Sequence, residues 1–174
     1  MILTLKRTPG LYLVGFMAAG KTTVGRLLAD ELGWTFVDID EDIEEQEDSS
    51  ISDIFDTLGE EGFRDIEASV ISRRVHVVQH GRPMVIAVGG GAFTRQENYD
   101  LLEENGVTIW LDCPLSLIEQ RVMDNDARPL ARNLERMRML YFERQTAYSR
   151  ADFRVEASGE PVRIMRTILD LPIF

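Results

Sequence analysis

The chain has 174 residues, 44% of them hydrophobic, and a formal net charge of −11 at pH 7. This length and apolar content fit one compact domain over residues 1–174. The negative charge argues against nucleic acid or an anionic membrane as a partner. The sequence contains no run of about twenty apolar residues, so we predict no membrane span. The single cysteine, Cys113, excludes an internal disulfide and fits the reducing cytoplasm, where we expect a monomer without a signal peptide.

Short apolar runs alternate with longer helical patterns along the chain, which is typical of βαβ units on a parallel sheet. The predicted strands, in chain order, are residues 11–14, 35–37, 84–88, 107–111 and 153–155. The predicted helices are residues 21–32, 63–79, one from Thr94, one from Pro114, residues 132–149 and 161–169. The pattern predicts an α/β three-layer sandwich whose ligands bind at the carboxyl ends of the strands.

Charge is unevenly distributed along the chain. Residues 38–67 contain fourteen acidic residues and one base, Arg64, whereas residues 121–150 contain seven arginines and four acidic residues. The only lysines are Lys6 and Lys21. An anion site would therefore draw on Lys21, Arg64 and the arginine-rich segment.

The first predicted strand is followed by Gly15-Phe-Met-Ala-Ala-Gly-Lys-Thr22, which matches the Walker A pattern. An apolar strand before it and an amphipathic helix after it give the pattern its expected context. Backbone N–H groups of such a loop hold phosphate oxygens. We expect Lys21 to bridge the β- and γ-phosphates of a nucleotide and the Thr22 hydroxyl to bind Mg²⁺. The motif predicts nucleotide binding, but GTPases and motor ATPases share it, so it does not by itself indicate a kinase.

The second predicted strand ends at Asp38 and Asp40. If the segment is extended, the two side chains point to one face, toward the P-loop. One carboxylate could then position a metal ion and the other could accept a proton from an alcohol. The same residues also fit the solvated start of an acidic helix, and spacing leaves both interpretations open.

Two further features lie at the predicted ligand edge. Arg64 could pair with Glu60, Asp65 or Glu67, or it could bind a ligand carboxylate through two parallel hydrogen bonds. Gly89, Gly90 and Gly91 follow the third strand and would let the backbone approach a ligand closely, unless they form only a flexible turn.

The arginine-rich segment fits either a mobile lid over a nucleotide or a solvated helix face. Arg128 precedes a proline in a non-helical run, which favours the lid interpretation at that residue. His76 and His80 have a zinc-like spacing, but no third ligand accompanies them, so we predict no metal site there.

The ordered motifs resemble those of the shikimate kinase family over nearly the whole chain. They are GFMAAGKTTVGRLLA, FVDID, ISDIFDTLGEEGFRDIE, VIAVGGGA, ARPL and ERQTAY. The resemblance implies a P-loop NTPase fold like that of nucleoside monophosphate kinases, with five parallel strands, a lid near residues 122–134 and an acceptor-binding region near residues 38–67. It also implies transfer of the γ-phosphate from MgATP to the 3-hydroxyl of shikimate, a step of aromatic amino acid biosynthesis.

The resemblance assigns roles residue by residue. It implies catalytic roles for Asp40 as the base, Lys21, and Arg128 of the lid. The nucleotide would contact Gly15, Ala18, Ala19, Gly20, Lys21, Thr22, Thr23, Arg121 and Arg128, with Arg121 against the adenine. Shikimate would contact Asp40, Arg64, Gly89, Gly90, Gly91 and Arg144, with the two arginines on its carboxylate. Thr22 and Asp38 would hold Mg²⁺.

Two departures from the family pattern are visible. The family usually has a glycine where this chain has Ala18, and the segment from Arg128 to Arg144 is a few residues shorter than usual. Two alternatives remain: a related kinase for another carboxylated polyol, such as gluconate or aminoshikimate, and a nucleotide-binding module without catalysis. Retention of Lys21, Thr22, Asp38 and Asp40 argues against the second.

Overall fold

The computed structural model describes residues 10–125 and 133–174. Its strands are β1 (Gly10–Val14), β2 (Thr35–Asp38), β3 (Met84–Ala87), β4 (Val107–Asp112) and β5 (Phe153–Glu156). They form one sheet in the order β2-β3-β1-β4-β5, and all four neighbouring pairs are parallel. The prediction of an α/β fold with a five-stranded parallel sheet is confirmed.

Seven α-helices lie in the described part of the chain. They are α1 (Lys21–Leu32), α2 (Ile39–Glu47), α3 (Ile51–Gln79), α4 (Gln96–Glu104), α5 (Leu115–Met123), α6 (Leu134–Tyr148) and α7 (Pro161–Leu169). A short 3₁₀ turn, Ala92–Thr94, precedes α4. Helix α1 packs against α7, and α3 packs against α2 and α4.

The central strands carry the core. Every residue of β1 and β3 is buried, as are the first five residues of β4, whereas the edge strands β2 and β5 are partly exposed. This explains the apolar runs in the sequence, because a strand covered on both faces has no polar side to alternate with. None of the helices in the described residues is long and apolar enough to cross a membrane.

The strand order creates a crevice between β1 and β3. These strands are neighbours, with Leu13 paired to Ala87. The chain leaves β1 toward the β2 edge and leaves β3 toward β4, on the other side of β1. The loops that follow β1 and β3 therefore diverge, and such a point in a parallel sheet is where ligands bind.

The region between β2 and β3 differs from the prediction. The predicted helix 63–79 is the second part of α3, which begins at Ile51 and breaks at Gly59, where φ is 72° and ψ is 178°. Ser50 caps the helix by accepting a hydrogen bond from the Asp53 backbone N–H. This cap is a sequence signal for the earlier start.

The extended conformation considered for this segment holds at Asp38 but is wrong for Asp40. Asp38 ends β2 and caps α2, and Asp40 lies in the first turn of that helix. The Asp38 carboxylate accepts the backbone N–H groups of Asp40 and Glu41, which would otherwise lack partners at the helix start. The helical interpretation of this segment is therefore correct, although both side chains still face the P-loop cavity.

Candidate active site

A cavity of about 760 Å³ lies at the carboxyl ends of the central strands. Its lining comprises residues 17–23, Asp38, Asp40, Glu41, Glu44, Ile51, Ala87, Val88, Gly90, Arg121, Asn125 and Pro161. Most of the predicted nucleotide- and metal-binding residues are thus brought together. Arg64 and Arg144 are not among the lining residues and lie against the glycine turn instead, as described below.

The P-loop joins β1 to α1 through several residues with positive φ. Gly15 has φ 142°, and a Cβ there would come within 2.7 Å of the Leu111 carbonyl oxygen. Gly20 has φ 95° and directly precedes α1, while Ala18 has φ 58° although it is not a glycine. A loop backbone with residues of positive φ placed between the others turns successive N–H groups toward one side, which forms an anion-binding concavity.

Lys21 lies at the first position of α1 and folds back over this loop. Its Nζ donates to the Gly15 carbonyl at 2.7 Å and to the Phe16 carbonyl at 2.9 Å. The ammonium group therefore sits at the loop, where an incoming phosphate would meet it.

Thr22 and Asp38 connect α1 to the end of β2. The Thr22 hydroxyl donates to Asp38 Oδ2 at 2.5 Å, while Asp38 Oδ1 caps α2. Because the hydroxyl hydrogen is directed to the carboxylate, the lone pairs of the Thr22 oxygen remain available. A hydroxyl and a carboxylate oxygen beside a phosphate site are ligands that suit Mg²⁺.

Asp40 opens onto the cavity from the first turn of α2. The pKa of its carboxyl is raised to about 6, mainly because the surrounding protein removes water from the charged form. The negative charges of Asp38 and Glu67 contribute to this increase. The positive charges of Lys21 and Arg64 oppose it. Because the side chain is still exposed to the cavity, water there moderates this effect until a ligand displaces it. Asp40 is thus a carboxylate whose proton affinity suits a general base.

Arg64 lies on α3 and is paired with Glu67. Arg64 Nη1 contacts Glu67 Oε2 at 2.7 Å, and a weaker contact joins Arg64 Nη2 to Glu60 at 3.8 Å. Glu67 is fully buried, and burial raises the pKa of its carboxyl, while Arg64, Arg144 and Arg95 oppose this increase. Arg64 thus pairs with Glu60 and Glu67 and also faces the glycine turn, whereas its binding of a ligand carboxylate stays a prediction.

The glycine turn after β3 packs directly onto these acidic and basic groups. A Cβ on Gly89 would collide with Glu67 Oε1 and lie 3.1 Å from Asp40 Oδ1. A Cβ on Gly91 would lie 2.6 Å from Arg64 Cζ. The glycines at both positions therefore leave room for the side chains, rather than merely forming a flexible turn.

Gly90 is contacted by side chains of α6. The Tyr148 hydroxyl donates to the Gly90 carbonyl, and a Cβ on Gly90 would lie 3.5 Å from Arg144 Nη1. The Arg144 guanidinium also lies over the Phe16 ring, 5.6 Å from its centroid. Arg144 is thus positioned at the glycine turn, and its charge acts on Glu67, as does that of Arg64.

Arg121 comes from α5 and reaches the P-loop. Its Nη1 donates to the Ala18 carbonyl at 2.8 Å. Arg128 and most of the predicted lid, residues 126–132, lie outside the described residues. Thr23 and Ala19 both line the cavity, and Ala19 is buried.

Two side chains without a ligand-site role in the sequence prediction are part of this geometry. Glu67 was considered only as a partner for Arg64, and Tyr148, at the end of the ERQTAY motif, was assigned no contact. Glu67 follows Arg64 by three residues, a helical spacing that favours this pair over the one with Asp65. Among the described residues, no cluster of three or more potential metal ligands from His, Cys, Asp and Glu occurs, and His80 Nδ1 contacts the His76 carbonyl instead.

A family model described as shikimate kinase matches residues 17–171. A shikimate kinase of Persephonella marina is 42% identical over 161 residues, covering 91% of this chain and 96% of the relative.

Solved structures agree with this result. A shikimate kinase from Acinetobacter baumannii in complex with shikimate superimposes with a TM-score of 0.85 at 37% identity, covering 93% of this chain and 91% of that one. The shikimate kinase of Aquifex aeolicus superimposes with a TM-score of 0.81 at 35% identity, covering 92% of this chain and 94% of that one.

Proposed function

Because this chain belongs to the shikimate kinase family, we propose that it transfers the γ-phosphate of ATP to the 3-hydroxyl of shikimate. The observation that carries the proposal is the position of Asp40. Its carboxylate lies in the P-loop cavity and is acted on by both Lys21 and Arg64. It is therefore close enough to the cation of the phosphate site and to the cation of the acceptor side for both to act on its charge.

The P-loop binds the triphosphate of ATP in this proposal. N–H groups of the loop and of the α1 N-terminus hold the phosphate oxygens, and Lys21 leaves the Gly15 and Phe16 carbonyls to bridge the β- and γ-phosphates. Arg121 and Pro161 both line the cavity, and we place the adenine beside Arg121.

The hydrogen-bonded oxygens of Thr22 and Asp38 fit Mg²⁺ beside the phosphates. Mg²⁺ bound there would neutralise part of the negative charge on the phosphate oxygens. Thr22 would be a direct ligand, whereas Asp38 also caps α2 and would act partly through water.

The acceptor binds across the glycine turn. Arg64 lies at Gly91 and Arg144 at Gly90, and the two would hold the substrate carboxylate. The turn would bring its backbone close to the ring substituents. This arrangement directs the 3-hydroxyl to Asp40.

Asp40 accepts the proton of that hydroxyl as its oxygen attacks the γ-phosphorus. One P–O bond forms to the acceptor and one breaks to ADP, whose leaving charge is stabilised at Lys21. We place Arg128 near the transferred phosphate as the lid arginine.

The test is ADP formation from MgATP with and without shikimate, with Asp40→Asn alongside. We expect ADP only with shikimate and its loss in the variant. Gluconate and aminoshikimate as acceptors complete the panel, because faster transfer to either would move the assignment to that acceptor. ATP binding without transfer to any of them would leave a nucleotide-binding module.

A further inference from the structure

We propose that Arg121 is a positioning residue for the P-loop, holding the Ala18 peptide in the left-handed conformation that phosphate binding requires. This role is distinct from contact with the adenine. It rests on the proposed use of ATP but not on the identity of the acceptor.

Ala18 has an unusual conformation for its residue type. Its φ is 58°, and among the described residues only Asp48 shares a positive φ without being a glycine. An alanine in this region is disfavoured because its Cβ approaches the following carbonyl. The surrounding structure must therefore hold Ala18 in place.

Arg121 supplies a contact at this peptide. Its Nη1 donates to the Ala18 carbonyl at 2.8 Å, across 103 residues of sequence. The same nitrogen lies 3.7 Å from the Cys113 sulfur, and a Cβ on Gly20 would be 3.9 Å away from it. The guanidinium thus reaches over the loop from α5, a separate element of the fold.

The contact has a consequence for phosphate binding. An anion site needs its N–H groups turned inward and its carbonyls turned away. Lys21 donates hydrogen bonds to the Gly15 and Phe16 carbonyls, and Arg121 donates one to the Ala18 carbonyl. Lys21 would leave its carbonyls for the phosphates when nucleotide binds, whereas Arg121 can keep its contact throughout.

The expected loss of nucleotide affinity depends on how often the P-loop adopts the conformation that binds phosphate. Without Arg121, a smaller fraction of the molecules with Ala18 has the loop in the conformation that binds phosphate. The apparent affinity for nucleotide falls in proportion to this fraction. With a glycine at position 18, the left-handed conformation is not disfavoured, so Arg121 matters less. A double-mutant cycle of Arg121→Met and Ala18→Gly separates this effect from adenine contact, which does not depend on residue 18.

The experiment measures MgADP affinity by calorimetry for the parent protein, both single variants and the double variant, with melting curves to verify folding. We expect Arg121→Met to weaken MgADP about tenfold in the Ala18 protein, because a hydrogen bond from a charged donor is lost. The loss should shrink to about threefold in the Ala18→Gly background, since a glycine adopts the left-handed conformation without the steric penalty of a Cβ. Equal losses in both backgrounds would overturn the proposal.

Inorganic tripolyphosphate with Mg²⁺ provides a second readout, as a competitor of MgADP, because it has no adenine. Its affinity should also fall in Arg121→Met and recover in Arg121→Lys, whose ammonium can still donate to the Ala18 carbonyl. An unchanged tripolyphosphate affinity in Arg121→Met would assign this residue to the base alone. Neither result depends on shikimate, so failure of the acceptor assignment would be seen separately in the ADP-formation assay.

Discussion

Arg64 and Glu67, almost one turn apart on α3, are joined by a 2.7 Å ion pair in which Glu67 is fully buried. The buried carboxylate fixes one edge of the guanidinium, so that the other can face the glycine turn. Glu67 Oε1, the other carboxylate oxygen, is buried without a hydrogen-bond partner among the described residues. We therefore propose that the pair supports ligand binding in addition to being a structural contact.

Glu67→Gln should raise the KM for shikimate about tenfold, because the charge that orients Arg64 is lost while the shape of the side chain is kept. The Kd of MgATP should remain unchanged. Steady-state kinetics and nucleotide titration measure the two quantities. Asp65→Asn is a matched control on the same helix, since Asp65 is exposed and pairs with Arg95. An unchanged shikimate KM in Glu67→Gln would contradict the supporting role.

Arg64→Ala should weaken shikimate about a hundredfold and leave ATP binding almost unaltered, because a two-pronged contact to the carboxylate is removed. The shikimate affinity of Arg64→Lys should lie between those of the parent protein and Arg64→Ala, since lysine keeps the charge but not the planar guanidinium. Arg73→Ala, an exposed arginine of the same helix, serves as the control. Equal losses of shikimate and ATP affinity would argue for a general structural effect instead.

Asp40→Asn should abolish transfer, and kcat/KM of the parent protein should fall below about pH 6 as the Asp40 carboxyl is protonated. Asp56→Asn, at an exposed position of α3, should leave the pH profile unchanged. A profile without an inflection near pH 6 would count against Asp40 as the base.

The same raised pKa predicts an effect on stability. Between about pH 4 and pH 6 the folded protein binds the Asp40 proton more tightly than the unfolded chain, so this group destabilises the fold as pH rises. Asp40→Asn removes the penalty and should raise Tm by about 3 °C at pH 7, after allowance for water in the cavity. The difference should shrink toward pH 4 in thermal melts. A lower Tm in the variant at pH 7 would show that Asp40 stabilises the fold.

Thr22→Ala should lower kcat on the order of a hundredfold and raise the Mg²⁺ concentration needed for half-maximal activity, because a hydroxyl ligand is lost. Thr22→Ser keeps the hydroxyl and should retain most of the activity. ADP formation as a function of Mg²⁺ concentration tests both variants. If Thr22→Ala showed the parent's Mg²⁺ dependence, Thr22 would not be a metal ligand.

Gly91→Ala should raise the shikimate KM and lower Tm only moderately, because Arg64 shifts relative to the buried Glu67. The new Cβ would displace the end of the flexible Arg64 side chain, 2.6 Å away at Cζ, rather than backbone. Gly159→Ala is the control, because its nearest neighbour lies 4.0 Å away and its φ is not positive. A large fall in Tm without a change in KM would mean that the turn itself, not Arg64, is disturbed.

Several features could be predicted from local sequence alone. The P-loop is recognisable because Gly15, Gly20, Lys21 and Thr22 have the Walker A spacing and the strand before them is uniformly apolar. The helix Pro161–Leu169 has the predicted bounds, with a proline at its start. Helix α2 is only one of two interpretations of its segment, and the first part of α3 is not predicted, although Asp38 and Ser50 are recognisable caps. The reason is that an acidic surface segment lacks a strong apolar period.

The sequence by itself determined the nucleotide site, the alternation of strands and helices, and, through the ordered motifs, the family. Only the tertiary structure decided that Glu67 lies against Gly89, that Tyr148 holds the Gly90 carbonyl, and that Arg121 reaches Ala18. These contacts join residues 22, 58 and 103 positions apart. Local patterns follow from backbone geometry within a few residues, whereas such contacts depend on how the helices pack around the sheet.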